Sequence, residues 1–470
     1  MDTLRIEQAM KQCWEQVWPE VRAEAAQGVS VASGLVVMRQ LMELMRRVCV
    51  AGFRAWLEQA DCSDDTLERD GRRLRFKLAS AKEFVTPCGP LVVTRRLFQA
   101  DHGGPTVAPL DEAWGMVGQF ATPEVRELAA FLLGLITPEE AEQVLEKSSL
   151  CPVGRTTLKK LAGQFGEWVE EHESVIVGVR ADETIPAQTR VVCASLDGTN
   201  LRLAEPGPKP GRPVAGDIGE LAPTCFKNAM IGTVSLYSTV SLYGDVPPDE
   251  TTPTRLQTRC VARMPEESSP TFRRQFEAEV SDTLARCGPD VTRVLVLDAA
   301  KSLWSYVESR PLFADFEKIV DFHHAVEHLA LASDALFGKG SDAAKTWTAR
   351  HRHTLRDHDD GARRVIRAMD RAAAQQRLSK AARSEVAKQR QFFVNNGDRM
   401  TYATFRARGL PIGSGPVEAA GKTLVKIRLC RSGMRWTRTG GQHILGLRTL
   451  IKSDRWNATW SRYLDTLQTA

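Results

Sequence analysis

The sequence predicts an α/β fold with additional all-helical regions, and three observations support this. Short apolar runs of β-favouring residues recur between 190 and 326 around one helical pattern, which is typical of a mixed sheet covered by helices. The stretch 327–408 is wholly helical and basic in pattern, and residues 1–75 also follow helical spacing. A chain of 470 residues has room for two to four domains at about 100–200 residues each.

Residues 1–75 predict an N-terminal helical region, because IEQAMKQCWEQVWPEV and SGLVVMRQLMELMRRVCVAGFRAWLEQ space their apolar residues by three and four. No chemical motif occurs there, so packing or dimerisation is the expected role. A small β-containing segment follows at 76–120. Within it, FVTPCGPLVVTRRLF predicts two short strands joined by a Pro-Cys-Gly-Pro turn.

The stretch 121–185 predicts a helical domain with a helix-turn-helix arrangement. Thr-Pro-Glu occurs twice as a helix start, with Pro in the first turn and Thr able to cap, and a third helix is predicted to begin near Pro152. The residues predicted to enter the major groove of DNA from this third helix are Arg155, Lys159 and Lys160. Three-helix packing with no DNA role is the alternative.

The stretch 190–326 predicts the first part of the sheet core. One strand ends at Asp197 and is followed by the Pro/Gly-rich loop AEPGPKPGRPVAGD. CFKNAMIGTVSLYS and TRLQTRCVARMP then predict paired strands, and SPTFRRQFEAEVSDTLARC predicts a helix. Another strand ends at Asp298, and the strand FEKIVDFHHAVEHL follows, with the change from strand to helix at Asp321 and His324. The stretch 409–470 supplies the last core helix, which contains Glu418, and a basic tail.

Three carboxylates, those of Asp197, Asp298 and Glu418, stand where these apolar patterns end or begin. Cutting and joining phosphodiesters develops charge on the attacking and leaving oxygens, and two Mg²⁺ ions ~3.5–4 Å apart stabilise both. Such hard cations prefer carboxylate oxygens. An Asp at a strand end is often only a turn former or a helix cap, so a single acid says little. The ordered set of three predicts a two-metal site.

Four strings carry a resemblance to a known family: SLDGTN, VLVLDAAKSLW, DFHHAVEHL and PIGSGPVEAAGKTLVKIRLCRSGMRW. They resemble the ISKra-type insertion-sequence transposases, relatives of the Mutator-like group with an RNase H-like DDE catalytic core. The resemblance covers about residues 76–456 and is most specific from Gly409 to Trp436. It implies an all-helical insertion at 327–408. It also implies double-stranded DNA partners, namely the terminal inverted repeats of the element and target DNA, and a homodimer or larger assembly on DNA.

Position by position, the resemblance implies that Asp197, Asp298 and Glu418 are the catalytic and metal-binding residues, with two Mg²⁺ or Mn²⁺ ions. Asp321 and His324 match the Asp-x-x-His motif that Mutator-like enzymes carry between the second Asp and the Glu. The spacing of the nearby histidines lacks the Glu placement of a zincin helix. A structural or DNA-contacting role for His324, bonded to Asp321, is therefore preferred to metal ligation.

Charge is distributed unevenly along the chain. The net charge of +5 is modest, but from Arg406 to the end twelve basic side chains accompany three acidic ones. Such a segment can neutralise phosphates, and a solvated basic face is the alternative. Trp304 and Trp436 could stack on unpaired bases, although core tryptophans are commoner. The DNA contacts predicted in this segment are Lys422, Lys426, Arg428, Arg431, Arg435 and Trp436.

Lys422 and Lys426 follow Glu418 at steps of four, which would put all three on one face of an α-helix. Contacts to the phosphates beside the scissile one are one expectation for the two lysines, and intrahelical ion pairs are the alternative.

The ten cysteines occur singly, without a Cys-x-x-Cys pair, as reduced thiols in a cytosolic protein do. In many relatives the segment after residue 98 carries paired cysteines, but here it has only His102, so no zinc site is expected there. The N-terminus is charged where a signal peptide is apolar, and no uninterrupted apolar run reaches ~18 residues. We expect a protein of the bacterial cytoplasm, associated with the nucleoid and not with a membrane.

Two alternatives to transposition remain open from the sequence. One is another RNase H-like nuclease or integrase with the same triad, such as a resolvase. The other is a domesticated DNA-binding protein that keeps the fold without cutting DNA. The second alternative predicts DNA binding that depends on salt and not on Mg²⁺.

Overall fold

The computed structural model of the protein describes residues 2–26, 28–69, 71–148, 153–205, 225–238 and 253–469. The fold is mixed α/β, 59% helical, with a five-stranded mixed sheet, which confirms the coarse fold class predicted from the sequence. The chain divides into two units, Met1–Val175 with Trp456–Ala470, and Ile176–Arg455. Pro152 and the Pro/Gly-rich loop from residue 206 onward lie outside the described residues. In the described part of the chain, no helix is long and apolar enough to cross a membrane.

Two long helices form an antiparallel pair at the N-terminus, α1 (Thr3–Ala25) and α2 (Val31–Ala60). The side chains of Asp2 and Ser30 accept hydrogen bonds from first-turn amides and so cap the two helices. The predicted helical spacing is therefore confirmed. The buried apolar contacts between the helices involve Val17, Val21, Leu44 and Val48.

A three-stranded antiparallel sheet follows, formed by β1 (Thr66–Arg69), β2 (Arg72–Thr86) and β3 (Gly89–Ala100). The predicted turn joins β2 to β3, but both strands are longer than the predicted ones. β2 also begins before the predicted segment boundary at residue 76. Most side chains in its first half are exposed, and an apolar pattern does not mark such a strand.

Five further helices are α3 (Pro109–Ala113), α4 (Pro123–Leu135), α5 (Pro138–Lys147), α6 (Arg155–Glu171) and α7 (Glu173–Ala181). Both Thr-Pro-Glu sequences begin helices, as predicted. Thr137 caps α5 in a capping box with Glu140, whereas the Thr122 side chain makes no cap hydrogen bond at α4. α6 packs against α4 and α5, so the three predicted helices form one packed group.

The C-terminal helix, Trp456–Thr469, belongs to the first unit. The rings that contact Phe165 of α6 are those of Trp456, Trp460 and Tyr463. The stretch 409–470, predicted to supply the last core helix and a basic tail, is therefore divided between the two units after Arg455. Aromatic packing between segments far apart in sequence takes this helix to the first unit, and the local spacing of residues does not reveal such packing.

The second unit contains the larger sheet. Its elements are β4 (Val191–Leu203), β5 (Cys225–Ser238), β6 (Thr254–Arg263), α8 (Pro270–Arg286), β7 (Thr292–Leu297), α9 (Lys301–Glu308) and β8 (Glu317–Val320). The strand order is β6-β5-β4-β7-β8. β5 pairs antiparallel with β4 and β6, whereas β7 is parallel to β4 and β8 is parallel to β7. The predicted succession of strands, helix and strands thus forms a mixed sheet.

The sequence predicts that β4 ends at Asp197. In the structure the strand continues to Leu203. The residues after Asp197 keep antiparallel partners on β5, with Ile231 opposite Asp197. Parallel pairing with β7 stops at Ala194. The sheet therefore opens beside Asp197 on the β7 side, while β5 supports the same strand on the other side.

Five helices follow β8: α10 (Phe322–Phe337), α11 (Asp342–Asp357), α12 (Gly361–Gln375), α13 (Lys380–Asn396) and α14 (Tyr402–Ala407). The stretch 327–408 is thus helical, as predicted, although α10 begins earlier, at Phe322. Apolar faces of these helices join the core of the sheet. Their fully buried side chains include Leu329, Val365, Met369 and Phe393.

The chain returns to the sheet through α15 (Gly415–Ala420), a π-helical turn (Gly421–Lys426), α16 (Ile427–Leu429) and α17 (Arg438–Lys452). α15 contacts β4 and β5, the π turn contacts β4, and α17 contacts β6. A π turn forms i→i+5 hydrogen bonds and often marks a functional site. This return path brings Glu418 to the central strand of the sheet.

A group of buried ion pairs stabilises the second unit. Arg455 donates hydrogen bonds to Glu279 at 2.6 and 2.8 Å and to Glu183 at 2.6 Å. Arg259 also pairs with Glu183, at 3.1 Å, and Arg180 pairs with Glu279, at 3.5 Å. The side chains of Arg455 and Glu279 are 5% and 1% exposed. Because these charges are removed from water, each is stabilised mainly by its oppositely charged partners.

We expect Glu279→Gln to destabilise the protein by about 3–5 kcal/mol, because it leaves buried guanidinium charge uncompensated. Urea-induced unfolding followed by circular dichroism measures the loss. Glu267→Gln is the matched control, since Glu267 is exposed and the same chemical change there should cost less than about 0.5 kcal/mol. Equal stability of the two variants would contradict the importance of the ion pairs.

Candidate functional site

Asp197, Asp298 and Glu418 line one pocket of about 380 Å³. The carboxylates come from β4, from the residue after β7 and from α15, so widely separated parts of the sequence meet there. The other side chains and backbone that line the pocket belong to Leu196, His323, His324, Glu327, Ser414, Gly415 and Val417. The predicted triad is thus brought together.

The register of the parallel strands explains why Asp197 and Asp298 meet. The last paired residues of β4 and β7 are Ala194 and Leu295, and the same offset continued along both strands aligns Asp197 with Asp298. The register of β7 with β8 likewise aligns Asp298 with Asp321. Side chains alternate along a strand, so three acids at equivalent register positions start from the same face of the sheet.

Asp321 links the end of β8 to the chain before Glu418. Its carboxylate caps α10 by accepting a hydrogen bond from the His324 backbone N–H at 2.6 Å, and it also accepts one from the Ser414 backbone N–H. The neighbouring Phe322 N–H donates to the Ile412 carbonyl at 2.9 Å. Asp321 is fully buried. It is therefore a positioning residue for the turn that leads to Glu418.

Glu418 lies in the first turn of α15, where the positive end of the helix dipole favours a carboxylate. The Ser414 hydroxyl donates a hydrogen bond to Glu418 Oε1 at 3.1 Å. The Glu418 side chain is otherwise exposed at the pocket. Sequence reasoning identified the Gly-Ser-Gly-Pro turn but not the role of Ser414 within it, although a hydroxyl four residues before the acid was visible in the sequence.

Gly421 allows the π turn to approach the sheet closely. A Cβ atom at this position would lie 2.9 Å from Thr199 Oγ1 of β4 and 3.7 Å from Ile231 Cδ1 of β5. The first distance is too short for a real contact, so a side chain here would push the turn away from the sheet. Glycine at 421 therefore helps set the distance between α15 and the strand that carries Asp197.

The pocket carries more negative charge than its surroundings compensate. Burial, together with the nearby charges of Asp197, Asp321 and Glu418, raises the pKa of Asp298 to about 6, although His324 opposes the shift. Burial is also the main cause that raises the pKa of Asp197, with Glu418 adding to it and Lys426 opposing it. Deprotonating both aspartates is therefore costly until positive charge enters the pocket.

The donor set suits a divalent ion bound together with substrate. In the part of the chain that the structure describes, no group of three His, Cys, Asp or Glu side chains could hold a metal ion by itself. Mg²⁺ commonly takes only one or two carboxylates and completes its shell with water and substrate phosphates. The carboxylate oxygens of Asp197, Asp298 and Glu418 around one pocket are hard donors of the type that such an ion prefers.

His324 lines the pocket, but it is not bonded to Asp321 in the way predicted. The hydrogen bond to Asp321 comes from the His324 backbone, because Asp321 caps the helix that His324 enters. The imidazole lies 3.5 Å from Glu327 and 3.3 Å from His328. Burial lowers the pKa of His328, whose ring stacks on Phe392 with centroids 3.6 Å apart.

Lys422 and Lys426 are exposed, as DNA contacts must be. Lys426 lies near enough to Asp197 to lower its pKa. The predicted common face with Glu418 assumed α-helical steps of four, but both lysines lie in the π turn, which changes the angular spacing between them. The evidence that Lys426 lies near the pocket is therefore its effect on the pKa of Asp197 and not its helical spacing from Glu418.

Arg428 is not available as a DNA contact, which corrects the prediction. Its side chain is 1% exposed, and its guanidinium lies 5.3 Å from the centre of the Trp436 ring. Trp436 is half-buried, and its indole N–H donates to the Leu429 carbonyl at 2.9 Å. Its backbone pairs with Leu203 at the end of β4. Trp436 thus holds the segment after α16 against the sheet, and its contact with a base stays a prediction.

Trp304 is 3% exposed, so it is a core residue and does not stack on bases. Arg435 is exposed, as a phosphate contact must be. Arg431 is half-buried, and its Nε donates to the Ile427 carbonyl at 2.9 Å, which restricts its reach. Among the DNA contacts predicted in this segment, Lys422, Lys426 and Arg435 have the side chains most accessible to a partner.

The basic residues at the start of α6 belong to the first unit and face solvent. Lys159 and Lys160 are exposed, and the Lys160 ammonium lies over the Phe120 ring at 4.6 Å. Arg155 is exposed but pairs with Glu142 at 2.9 Å. The opposite face of α6 is buried among helices. This arrangement leaves one basic helix end accessible to a partner.

Comparison with known proteins assigns no family to the chain. No protein-family model matches it, and no curated protein matches it.

We expect Gly421→Ala to destabilise the protein by about 1–3 kcal/mol, because the new methyl group would overlap the Thr199 hydroxyl. Gly415→Ala is the matched control: a Cβ there meets nothing within 4 Å, so the change should be nearly neutral. Chemical denaturation measures both. Adding Thr199→Ala to Gly421→Ala should restore part of the lost stability, and no recovery would argue against this contact.

We expect Asp298→Asn to stabilise the protein in EDTA at about pH 8 by about 1–2 kcal/mol, after allowance for screening by solvent. The folded-state pKa of about 6 lies above the ordinary value of 3.8, so the ionised carboxylate is disfavoured in the folded protein above pH 6. This penalty falls as the pH drops through 6 and is absent below 3.8.

Urea unfolding of this variant at about pH 8 and about pH 4 tests the sign of the effect. The stabilisation should be present at the higher pH and largely lost at the lower one. Asp290→Asn is the control, because Asp290 is exposed. Destabilisation by Asp298→Asn at the higher pH would refute the charge argument.

Proposed function

We propose that the protein is a DDE transposase that binds the terminal inverted repeats of an insertion sequence and catalyses Mg²⁺-dependent DNA strand cleavage and transfer. The observation that carries the proposal is the convergence of Asp197, Asp298 and Glu418 on one pocket. The five-stranded mixed sheet, with helices on it and a helical stretch between the second Asp and the Glu, supports an RNase H-like core. DNA as substrate assigns the protein to the nucleoid in the bacterial cytoplasm.

Asp197, Asp298 and Glu418 would hold two Mg²⁺ or Mn²⁺ ions. When bound, such ions activate the attacking oxygen and stabilise charge on the leaving oxygen. Their positive charge would favour the ionised forms of the two aspartates, whose pKa values are raised without it. Ser414 orients Glu418 through its hydrogen bond, and Asp321 fixes the turn that carries Ser414.

DNA would be held by cations near the pocket and by cations farther along the chain. Residues 327–470 contain 27 basic and 12 acidic side chains, a net charge of +15, whereas residues 1–326 contain 36 basic and 46 acidic ones, a net charge of −10. Such polarity favours a polyanion on the later part of the chain. Lys422, Lys426 and Arg435 would contact phosphates beside the scissile one.

The start of α6 would contribute recognition of the terminal repeats. A helix whose first turns expose Arg155, Lys159 and Lys160 while its other face packs on two helices is suited to the major groove. Joining two element ends requires two active sites, so a homodimer or larger assembly on DNA is part of the proposal. No membrane is involved.

The deciding experiment is cleavage of a labelled duplex that carries the element's own end, with Mg²⁺ and with EDTA. We expect the unaltered protein to cut at the repeat boundary only with Mg²⁺. Glu418→Gln and Asp298→Ala should lower cleavage and strand transfer by a factor of about 1,000 or more, because each removes a charge that holds the metal. Glu267→Gln, an exposed site, should leave both unchanged.

Retained strand transfer by Asp298→Ala in Mg²⁺ would refute the proposed mechanism. Binding without cleavage, equal in all four proteins and unaffected by EDTA, would mean that the protein only recognises DNA. Metal-dependent cutting of branched junctions in preference to element ends would instead identify a resolvase-like nuclease with the same site.

A further inference from the structure

The N-terminal half of α2 exposes a regular line of apolar side chains. Its members, called here the exposed seam, are Val31, Leu35, Met38, Met42 and Met45, which are 85%, 56%, 59%, 40% and 52% exposed. Their spacing alternates between four and three residues, which is the a and d pattern of a coiled coil. Isolated exposed apolar residues are common, but a continuous line of five with this period is not.

α2 carries a second seam of the same period, and that one is already occupied. Leu41, Leu44 and Val48 pack against α1. At 100° per residue the two seams point about 100° apart around the α2 axis. A helix in a four-helix bundle has two neighbours in this relation. α1 fills one of these places, and the exposed seam marks the other.

We infer that the exposed seam is a dimerisation surface, occupied by the same seam of a second copy of this chain. A line of a and d positions fits another such line by knobs-into-holes packing, and an identical line is available on every other copy. The five positions are all apolar, so they can bury one another without leaving an unpaired charge. The two α1–α2 hairpins would then form a four-helix bundle.

The size of the surface agrees with a dimer. The five side chains expose on the order of 500 Å² per copy, which lies in the range of about 300–600 Å² for the largest and often functional apolar patch of a monomer. Complete burial of both seams would remove about 1,000 Å², the lower limit for a specific interface. Beside the C-terminal part of the seam, Glu43 pairs within its own helix with Arg46 at 3.3 Å and Arg47 at 3.2 Å.

The remainder of α2 is held by its own unit, which confines the surface to the N-terminal half. Leu57 packs with Phe84 and Leu91 of the small sheet. The inference does not depend on DNA cleavage, because the contact uses only α2 and forms without DNA. It would supply the paired active sites that the proposed function needs.

Sedimentation equilibrium of the full chain without DNA tests the inference. We expect a dimer at micromolar concentration, and we expect Met38→Glu with Met42→Glu to weaken it by a factor of about 100 or more, because pairing would bury four carboxylates. Met38→Leu with Met42→Leu should keep the dimer, since Leu also suits a and d positions. Circular dichroism should show the same helix content in all variants.

Val144→Glu with Val177→Glu is the matched control, because both valines are exposed on other helices, at 47% and 44%. This variant should remain dimeric. A monomeric unaltered protein at micromolar concentration would overturn the inference, and so would a dimer that the seam substitutions leave intact. Since the assay contains no DNA, neither result depends on whether the protein cuts DNA.

Discussion

The arrangement of the candidate site depends on the buried carboxylate of Asp321. One of its oxygens accepts a hydrogen bond from the first turn of α10, and the other accepts one from the Ser414 amide. Asp321 and Ser414 are 93 residues apart in the sequence, and the helices from α10 to α14 lie between them. A fully buried carboxylate is unfavourable unless such donors satisfy it. The two hydrogen bonds to Asp321 therefore fix both ends of the helical stretch at the end of β8. They also fix the turn that leads to Glu418.

The second constraint is the register of three parallel strands. Because β4, β7 and β8 run in the same direction with fixed offsets, Asp197, Asp298 and Asp321 lie at equivalent positions across the sheet. Hydrogen bonding in the sheet thus forces like charges together, and burial raises the pKa values of the first two acids. Unlike Asp321, Asp197 and Asp298 gain no stability from this proximity, and the proposed metal ions would supply the positive charge that favours their ionised forms.

The rest of the second unit keeps this pocket open and supported. β4 continues past Asp197 because β5 still pairs with it after β7 has stopped. Gly421 lets the π turn lie directly on that strand, and Trp436 fastens the following segment to the end of the same strand. Arg428, which the sequence predicts to be a DNA contact, is instead buried next to Trp436 in this part of the fold. Charge alone therefore does not distinguish a binding residue from a structural one.

Local patterns in the sequence were sufficient to predict the two N-terminal helices, the two helices that begin at Thr-Pro-Glu and the strands of the larger sheet, because each of these elements buries an apolar face. Asp197, Asp298 and Glu418 were visible at the edges of these patterns. Four features could not be predicted in this way: the length of β4, the membership of the C-terminal helix in the first unit, the burial of Arg428 and the hydrogen bond from the His324 backbone to Asp321. These depend on contacts between residues far apart in the chain, which local periodicity does not encode.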